Sequence, residues 1–190
     1  MEGRKNIVEQ VRSFVEEECR KPTSKYGYAP FPTHFVPVVA YAKILAEKMN
    51  ADFEIVELAA WLHDIGSIMV GRENHHITGA EIAEKKLKEF AYEPKKIELI
   101  KQCILAHRGS KPLERGSLEG KIICDADGLA AFDRIEGLFM AALVYEHLGQ
   151  EQARISVRTK LFNSYKKLSS EAKEIIKPKY EAAMLLLGEK

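Results

Sequence analysis

The sequence predicts an all-α fold, a single compact multi-helix bundle, and three observations carry that expectation. Apolar residues recur at intervals of three and four along almost the whole chain, the spacing that lines one face of a helix. Clean period-two alternation, the mark of a half-buried strand, is hard to find. The chain has 190 residues, 46% of them hydrophobic, enough for one globular domain with a substantial core, and no internal repeat, low-complexity tract or linker divides it.

Each element has its own signal. Val8, Val11, Phe14 and Val15 give a first helical face that ends in Glu-Glu-Cys-Arg-Lys-Pro. Pro22, Gly27, Pro30 and Pro32 make residues 22–33 a loop. A helix is expected from about Thr33, as N-cap, to Lys48, with Pro37 in or just after its first turn, where a missing N–H is tolerated. The next starts near Asp52, turns Ile55, Leu58, Ala59 and Leu62 inward, and stops near Asp64 because Gly66 follows; from there to Asn74 the chain reads as irregular. Helices are expected over about Ile77–Phe90 and Pro94–His107, the second with Gly109 where a C-terminal cap belongs. Residues 109–119 form the longest interior loop. A long helical segment over about Lys121–His147, kinked at Gly128 or Gly137, precedes two helices near 151–168 and 170–187.

Composition excludes several classes of function. Basic residues number 29 and acidic residues 28, so a net charge of +1 gives no global reason to expect a nucleic-acid polymer or an anionic membrane as partner. Three widely spaced cysteines, Cys19, Cys103 and Cys124, contain no CxxC pair and do not make a disulfide framework, which points to a reducing compartment. The amino-terminal stretch is charged and amphipathic, without a signal-peptide core. No run reaches the roughly 18 apolar residues of a membrane span. The expected location is cytoplasmic.

Chemistry concentrates where helices end. His63 and Asp64 finish the apolar run Leu58-Ala59-Ala60-Trp61-Leu62, so a buried helix presents an imidazole and a carboxylate at the floor of a pocket. Alone, a His-Asp dipeptide is weak, since a histidine on an apolar face is usually just hydrogen-bonded. Its company strengthens it: His34 begins the preceding helix, His75 and His76 precede another, His107 ends a third, and Lys121-Ile122-Ile123-Cys124 delivers Asp125-Ala126-Asp127. Several such groups beside apolar stripes are costly to bury unless something pairs with them, and a divalent cation does so. Imidazole and carboxylate donors suit Mn²⁺, Fe²⁺, Co²⁺, Ni²⁺ or Zn²⁺, with Mg²⁺ kept among the candidate ions, and the absence of cysteine disfavours a structural zinc.

Taken in order, His34, Ala59-Ala60-Trp61-Leu62-His63-Asp64-Ile65-Gly66, His75-His76-Ile77-Thr78-Gly79-Ala80, Ile104-Leu105-Ala106-His107 and Asp125-Ala126-Asp127-Gly128-Leu129 resemble the HD-domain metal-dependent phosphohydrolases. The likeness covers about residues 30 to 135 and is looser in the last helices, about 150–188. It implies His34, His63, Asp64 and Asp127 as ligands of one metal, with His63 and Asp64 also central to catalysis. Asp125 is the weaker carboxylate, because residues two apart on a helix point to nearly opposite sides. His75, with His76 competing for its place, and His107 match the extra ligands of two-metal members; the likeness of the last helices to single-metal nucleotide pyrophosphatases leaves one or two ions open. In the single-metal case His75 and His107 bind substrate instead.

The activity so implied is hydrolysis of a phosphoester or phosphoanhydride bond in a small metabolite, above all a nucleotide; a metal-holding regulatory domain without turnover is the alternative. Candidate phosphate-binding residues are Arg108, beside a ligand, then Arg72, Lys111, Arg115 and His76. Glu73 is a weaker acid–base candidate, and Asp133 and Arg134 are expected in ion pairs. His147 is read as structural, Trp61 and Phe132 as packing, and Lys166-Lys167 and Lys177 with Lys179 as solvated faces. The apolar end of the last helix, Ala182 to Leu187, either packs internally or pairs with another copy, so a homo-oligomer is open.

Overall fold

The computed structural model describes residues 6–107 and 117–188, and the architecture over them is all-helical. Its α-helices are α1 (Ile7–Arg20), α2 (Val36–Met49), α3 (Phe53–Leu62), α4 (Ile65–Met69), α5 (His75–Glu89), α6 (Pro94–Ala106), α7 (Leu118–Ala130), α8 (Ile135–Met140), α9 (Gln150–Lys167) and α10 (Ser170–Leu186). Two π-helical turns, Phe31–Phe35 and Ala141–Tyr145, precede α2 and follow α8.

The centre of the bundle is α3, which touches α1, α2, α5, α6 and α7. Its Ile55, Val56, Leu58, Ala59, Ala60, Trp61 and Leu62 are all buried, as expected of a helix that is apolar all round over Leu58–Leu62. Burying each large aliphatic side chain contributes about 1.5–3 kcal/mol, so α3 is fixed by its neighbours rather than by helix propensity. The amino-terminal cap agrees with the sequence, the Asp52 carboxylate accepting from the Ile55 N–H at 3.1 Å. Because α3 is surrounded, the two residues after its last turn, His63 and Asp64, are delivered to the interior.

Around this axis α2 packs on α7, and α5 on α6 and α4. The carboxy-terminal helices α9 and α10 contact each other and α7. Trp61 stacks on Phe31 at 5.6 Å between ring centroids, tying α3 to the turn that begins the α2 rod. Phe132 is buried as well.

Four local features differ from the expectation. Thr33 does not cap a helix: it lies inside the first π-turn, and its hydroxyl donates to the Ala29 carbonyl at 2.7 Å. The stretch after Asp64 is irregular only over residues 70–74; Ile65, Gly66, Ser67 and Ile68 are buried in the short helix α4. The long segment over 121–147 is neither continuous nor kinked at a glycine. It breaks between Ala130 and Ile135, where Arg134 takes a non-helical backbone (φ −137°, ψ 58°) and the Asp133 carboxylate accepts from the Tyr41 hydroxyl at 3.0 Å and pairs with Lys179. Lys179 is therefore not merely solvated. Asp133 and Arg134 do form ion pairs, the latter with Glu136 at 3.1 Å. The three cysteines are free, and among the described residues no helix is long and apolar enough to cross a membrane.

Candidate metal centre

Five elements bring their ends to one place. His34 comes from the first π-turn, His63 and Asp64 from the junction of α3 and α4, His75 from the first residue of α5, His107 from the end of α6 and Asp127 from α7. Asp64 stands in the middle. Its Oδ2 lies 3.2 Å from His34 Nε2 and 3.8 Å from His63 Nε2, while its Oδ1 lies 3.4 Å from both His75 Nε2 and His107 Nε2. Asp127 Oδ1 joins the first side, 3.7 Å from His34 Nε2 and 4.0 Å from His63 Nε2. Two groups result, each able to hold a cation: His34, His63 and Asp127, and Asp64, His75 and His107.

The rings of His63, His75 and His107 are oriented by nearby backbone carbonyls. His63 Nδ1 donates to the Ala60 carbonyl at 2.8 Å, His75 Nδ1 to the Arg72 carbonyl at 2.8 Å, and His107 Nδ1 to the Ile104 carbonyl, in each case three residues back. With the Nδ1–H committed, a neutral ring leaves Nε2 as a bare lone pair facing the centre. His75 Nε2 and His107 Nε2 nevertheless approach to 3.2 Å. Two lone pairs do not bond to each other; such a pair calls for a proton or a cation between them, and the donor set fits a divalent metal of the imidazole–carboxylate kind.

Electrostatics set the protonation states. Burial pushes the fully enclosed His63 imidazole down to about 4, with the Asp64 carboxylate only partly opposing it. Burial also disfavours charge on His34 and His107, yet the Asp64 hydrogen bond to each, helped by the charge of Asp127, raises both above the ordinary imidazole value. Burial works against the Asp64 carboxylate too, but His63, His107 and His34 hold its pKa well below the usual range. Asp64 is thus an anion encircled by imidazole nitrogens.

A glycine makes the encirclement possible. A methyl group on Gly66 would sit 2.3 Å from the His75 carbonyl oxygen and 2.6 Å from the Thr78 hydroxyl, so only glycine lets α4 touch the start of α5.

Of the remaining candidates, Asp125 is buried but turned away, its Oδ1 accepting from the Ser169 N–H at 3.1 Å. His76 is half-buried with its ring 5.8 Å from that of His75 and belongs to neither group. Arg72 and Glu73 are exposed in the loop before α5, and the Arg72 carbonyl is what reaches the site. Arg108, Lys111 and Arg115 lie outside the described residues. Reading the sequence did not reveal the supporting carbonyls of Ala60, Arg72 and Ile104; the signal available was a histidine in or beside a helical turn, three residues after each.

The HD domain family model matches residues 32–131. An uncharacterised protein of Clostridium beijerinckii is 37% identical over 82 residues, 41% of this chain and 52% of that one. A tRNA (cytidine(56)-2'-O)-methyltransferase of Thermoplasma volcanium is 28% identical over 149 residues, 73% of this chain and 43% of the methyltransferase. The chain thus spans about half the length of these curated relatives or less. Among solved structures, Bacillus subtilis YpgQ in complex with ADP aligns with a TM-score of 0.67 at 25% identity, over 92% of this chain and 90% of YpgQ. A predicted HD superfamily hydrolase from an uncultured Thermotogales bacterium aligns with a TM-score of 0.56 at 25% identity, over 90% and 89% of the two chains. With a family match over more than half its length, the chain belongs to the HD domain family.

Proposed function

We propose that the protein is a metal-dependent phosphohydrolase with two divalent cations, acting on a small phosphorylated metabolite of the nucleotide class. The observation that carries this reading is Asp64, whose two carboxylate oxygens face different sets of imidazoles, Oδ2 toward His34 and His63 and Oδ1 toward His75 and His107. One cation would be held by His34, His63, Asp127 and Asp64 Oδ2, the other by His75, His107 and Asp64 Oδ1. The nucleotide class is supported by the ADP in the YpgQ structure and the hydrolase class by the Thermotogales neighbour.

A bound divalent cation acidifies water and draws charge from a phosphoryl group, which is the chemistry that phosphoester hydrolysis needs. The chain's own residues do the rest. His63, neutral down to about pH 4, keeps its nitrogen lone pair available at neutral pH. Asp64, ionised throughout, supplies the negative charge that keeps cations in a largely apolar interior. Carbonyls of Ala60, Arg72 and Ile104 lock the rings, so little reorganisation accompanies reaction. Arg72, exposed in the loop before α5, would meet an incoming phosphate, and Arg108 and Lys111 are proposed for the same task from their place in the sequence near His107.

The test is product release from phosphomonoesters, cyclic nucleotides and nucleoside triphosphates in Mn²⁺, with Asp64→Ala as control. Product from one class, absent with the variant, supports the reading and names the bond: pyrophosphate from a triphosphate, phosphate from a monoester, or an opened cyclic diester. A wild type that binds Mn²⁺ yet releases nothing from any substrate overturns it in favour of a metal-holding regulatory domain.

A further inference from the structure

The carboxylate of Asp125 is almost completely buried, at 1% exposure, yet it belongs to neither metal group. On α7 it stands two residues before Asp127, about 200° away around the helix, so the two carboxylates leave opposite sides of one rod. Asp127 faces His34 and His63; Asp125 faces the corner between α9 and α10. There its Oδ1 accepts from the Ser169 N–H at 3.1 Å, and Ser169 is the N-cap of α10, its own hydroxyl accepting from Ala172 N–H at 3.2 Å. A carboxylate at the amino end of a 17-residue helix is favoured by the unpaired N–H groups and dipole of that end. Close by, Gly128 leaves room for the buried Leu168: a methyl group there would come within 3.0 Å of Leu168 Cδ2.

We infer that Asp125 is a positioning residue: by capping the α9–α10 corner it fixes the rotation of α7 and so aims Asp127 at His34 and His63. The helix ends at Ala130, three residues beyond Asp127, leaving little rod of its own to hold that end. Rotating α7 by about 20° would swing a carboxylate tip, which stands several ångströms off the axis, by roughly 2 Å, enough to lose a ligand contact. The Asp64, His75 and His107 group takes no donor from α7, so a turn of that helix removes no ligand from it. The inference rests on the two-cation reading for its functional meaning, and extends it by making the carboxy-terminal helices part of one half of the centre only.

The experiment compares wild type, Asp125→Ala and Asp125→Asn by Mn²⁺ titration calorimetry and by crystal structures without metal. Expected is a loss of about tenfold in affinity for one of two Mn²⁺ equivalents in Asp125→Ala, the other unchanged, the order of effect seen when a ligand loses its support. Asp125→Asn, whose amide oxygen still accepts from Ser169, restores wild-type binding; a defect of general folding would not be rescued in one site alone. In the crystals Asp127 moves away from His34 in Asp125→Ala while His75 and His107 keep their spacing. An Asp125→Ala protein whose two equivalents both keep wild-type affinity or are both weakened alike, or an Asp127 that has not moved, overturns the inference. A wild type that binds no Mn²⁺ fails the two-cation reading instead, and the metal-free crystals then still decide whether Asp125 positions Asp127.

Discussion

His75 and His107 present their Nε2 atoms to each other at 3.2 Å, although both rings have committed Nδ1–H to a carbonyl of the preceding turn. The contact joins α5 to α6 across a long sequence separation and is unfavourable between two neutral rings. Something positive belongs between them, and Asp64 Oδ1, 3.4 Å from each, completes the triangle.

His107→Ala tests that triangle. Removing one corner leaves His75 and Asp64 Oδ1, too few donors to retain a cation tightly, while His34, His63 and Asp127 are untouched. Mn²⁺ bound after gel filtration is expected to fall from two equivalents to one. Two retained equivalents with weaker substrate binding would instead assign His107 to the substrate.

Asp64→Ala should behave differently, because both groups depend on the same carboxylate. Both equivalents are expected to be lost together, and turnover to fall about a thousandfold or more, as several kcal/mol of charge stabilisation disappear. The helical circular dichroism should persist, since the apolar face of α3 and not Asp64 holds the interior. Undiminished turnover by a folded Asp64→Ala protein contradicts the catalytic assignment.

Much of this arrangement was legible in the sequence because several of the candidate residues sit at an apolar stripe's end, where a polar residue is conspicuous. His63 and Asp64 follow seven buried residues of α3, and Asp127 follows the buried Ile122 and Ile123. Periodicity located the helices for the same reason. It misread α4 as irregular, because its five residues make barely one turn and its helicity comes from packing against α5. It also misread the stretch after Asp127, because the break at Ala131–Arg134 is made by distant partners, Tyr41 and Lys179 gripping Asp133, and no local residue announces it. The role of Asp125 and the choice of His75 over His76 as the ring nearest Asp64 are likewise matters of direction, which only the packed helices decide.

The metal-free protein should show imidazoles that titrate in opposite directions. His63 is depressed to about 4, below its unfolded value near 6.5, so between those values the unfolded chain binds the extra proton. Its contribution to stability is complete above about 6.5 and is lost as the pH falls toward 4. His34 and His107 are raised, so theirs is present below about 6.5 and is lost as the pH climbs through their folded values. Proton NMR of the ring signals should find His63 unmoved between pH 8 and about 5.5, while His34 and His107 shift with midpoints above about 6.5. Three rings titrating together near 6.5 would contradict the electrostatic account.

Two glycines give opposite outcomes when replaced by alanine. At Gly66 the added methyl would meet backbone, the His75 carbonyl at 2.3 Å and the Gly79 nitrogen at 2.7 Å, neither of which is the far end of a flexible side chain. The amino end of α5 must therefore move away from α4, carrying His75 with it. Gly66→Ala should cost about 3 kcal/mol or more, as overpacking of an interior contact does, and should weaken the His75 side of the centre before the His34 side. Gly137, exposed in α8, has nothing within 4 Å of the same added methyl. There the substitution only removes backbone freedom from the unfolded chain, and Gly137→Ala should stabilise by about 0.5–1 kcal/mol. Urea unfolding of the pair, read with Mn²⁺ stoichiometry, checks both signs; a Gly66→Ala protein as stable as wild type would show that α4 and α5 do not need to approach so closely for Asp64 to meet His75.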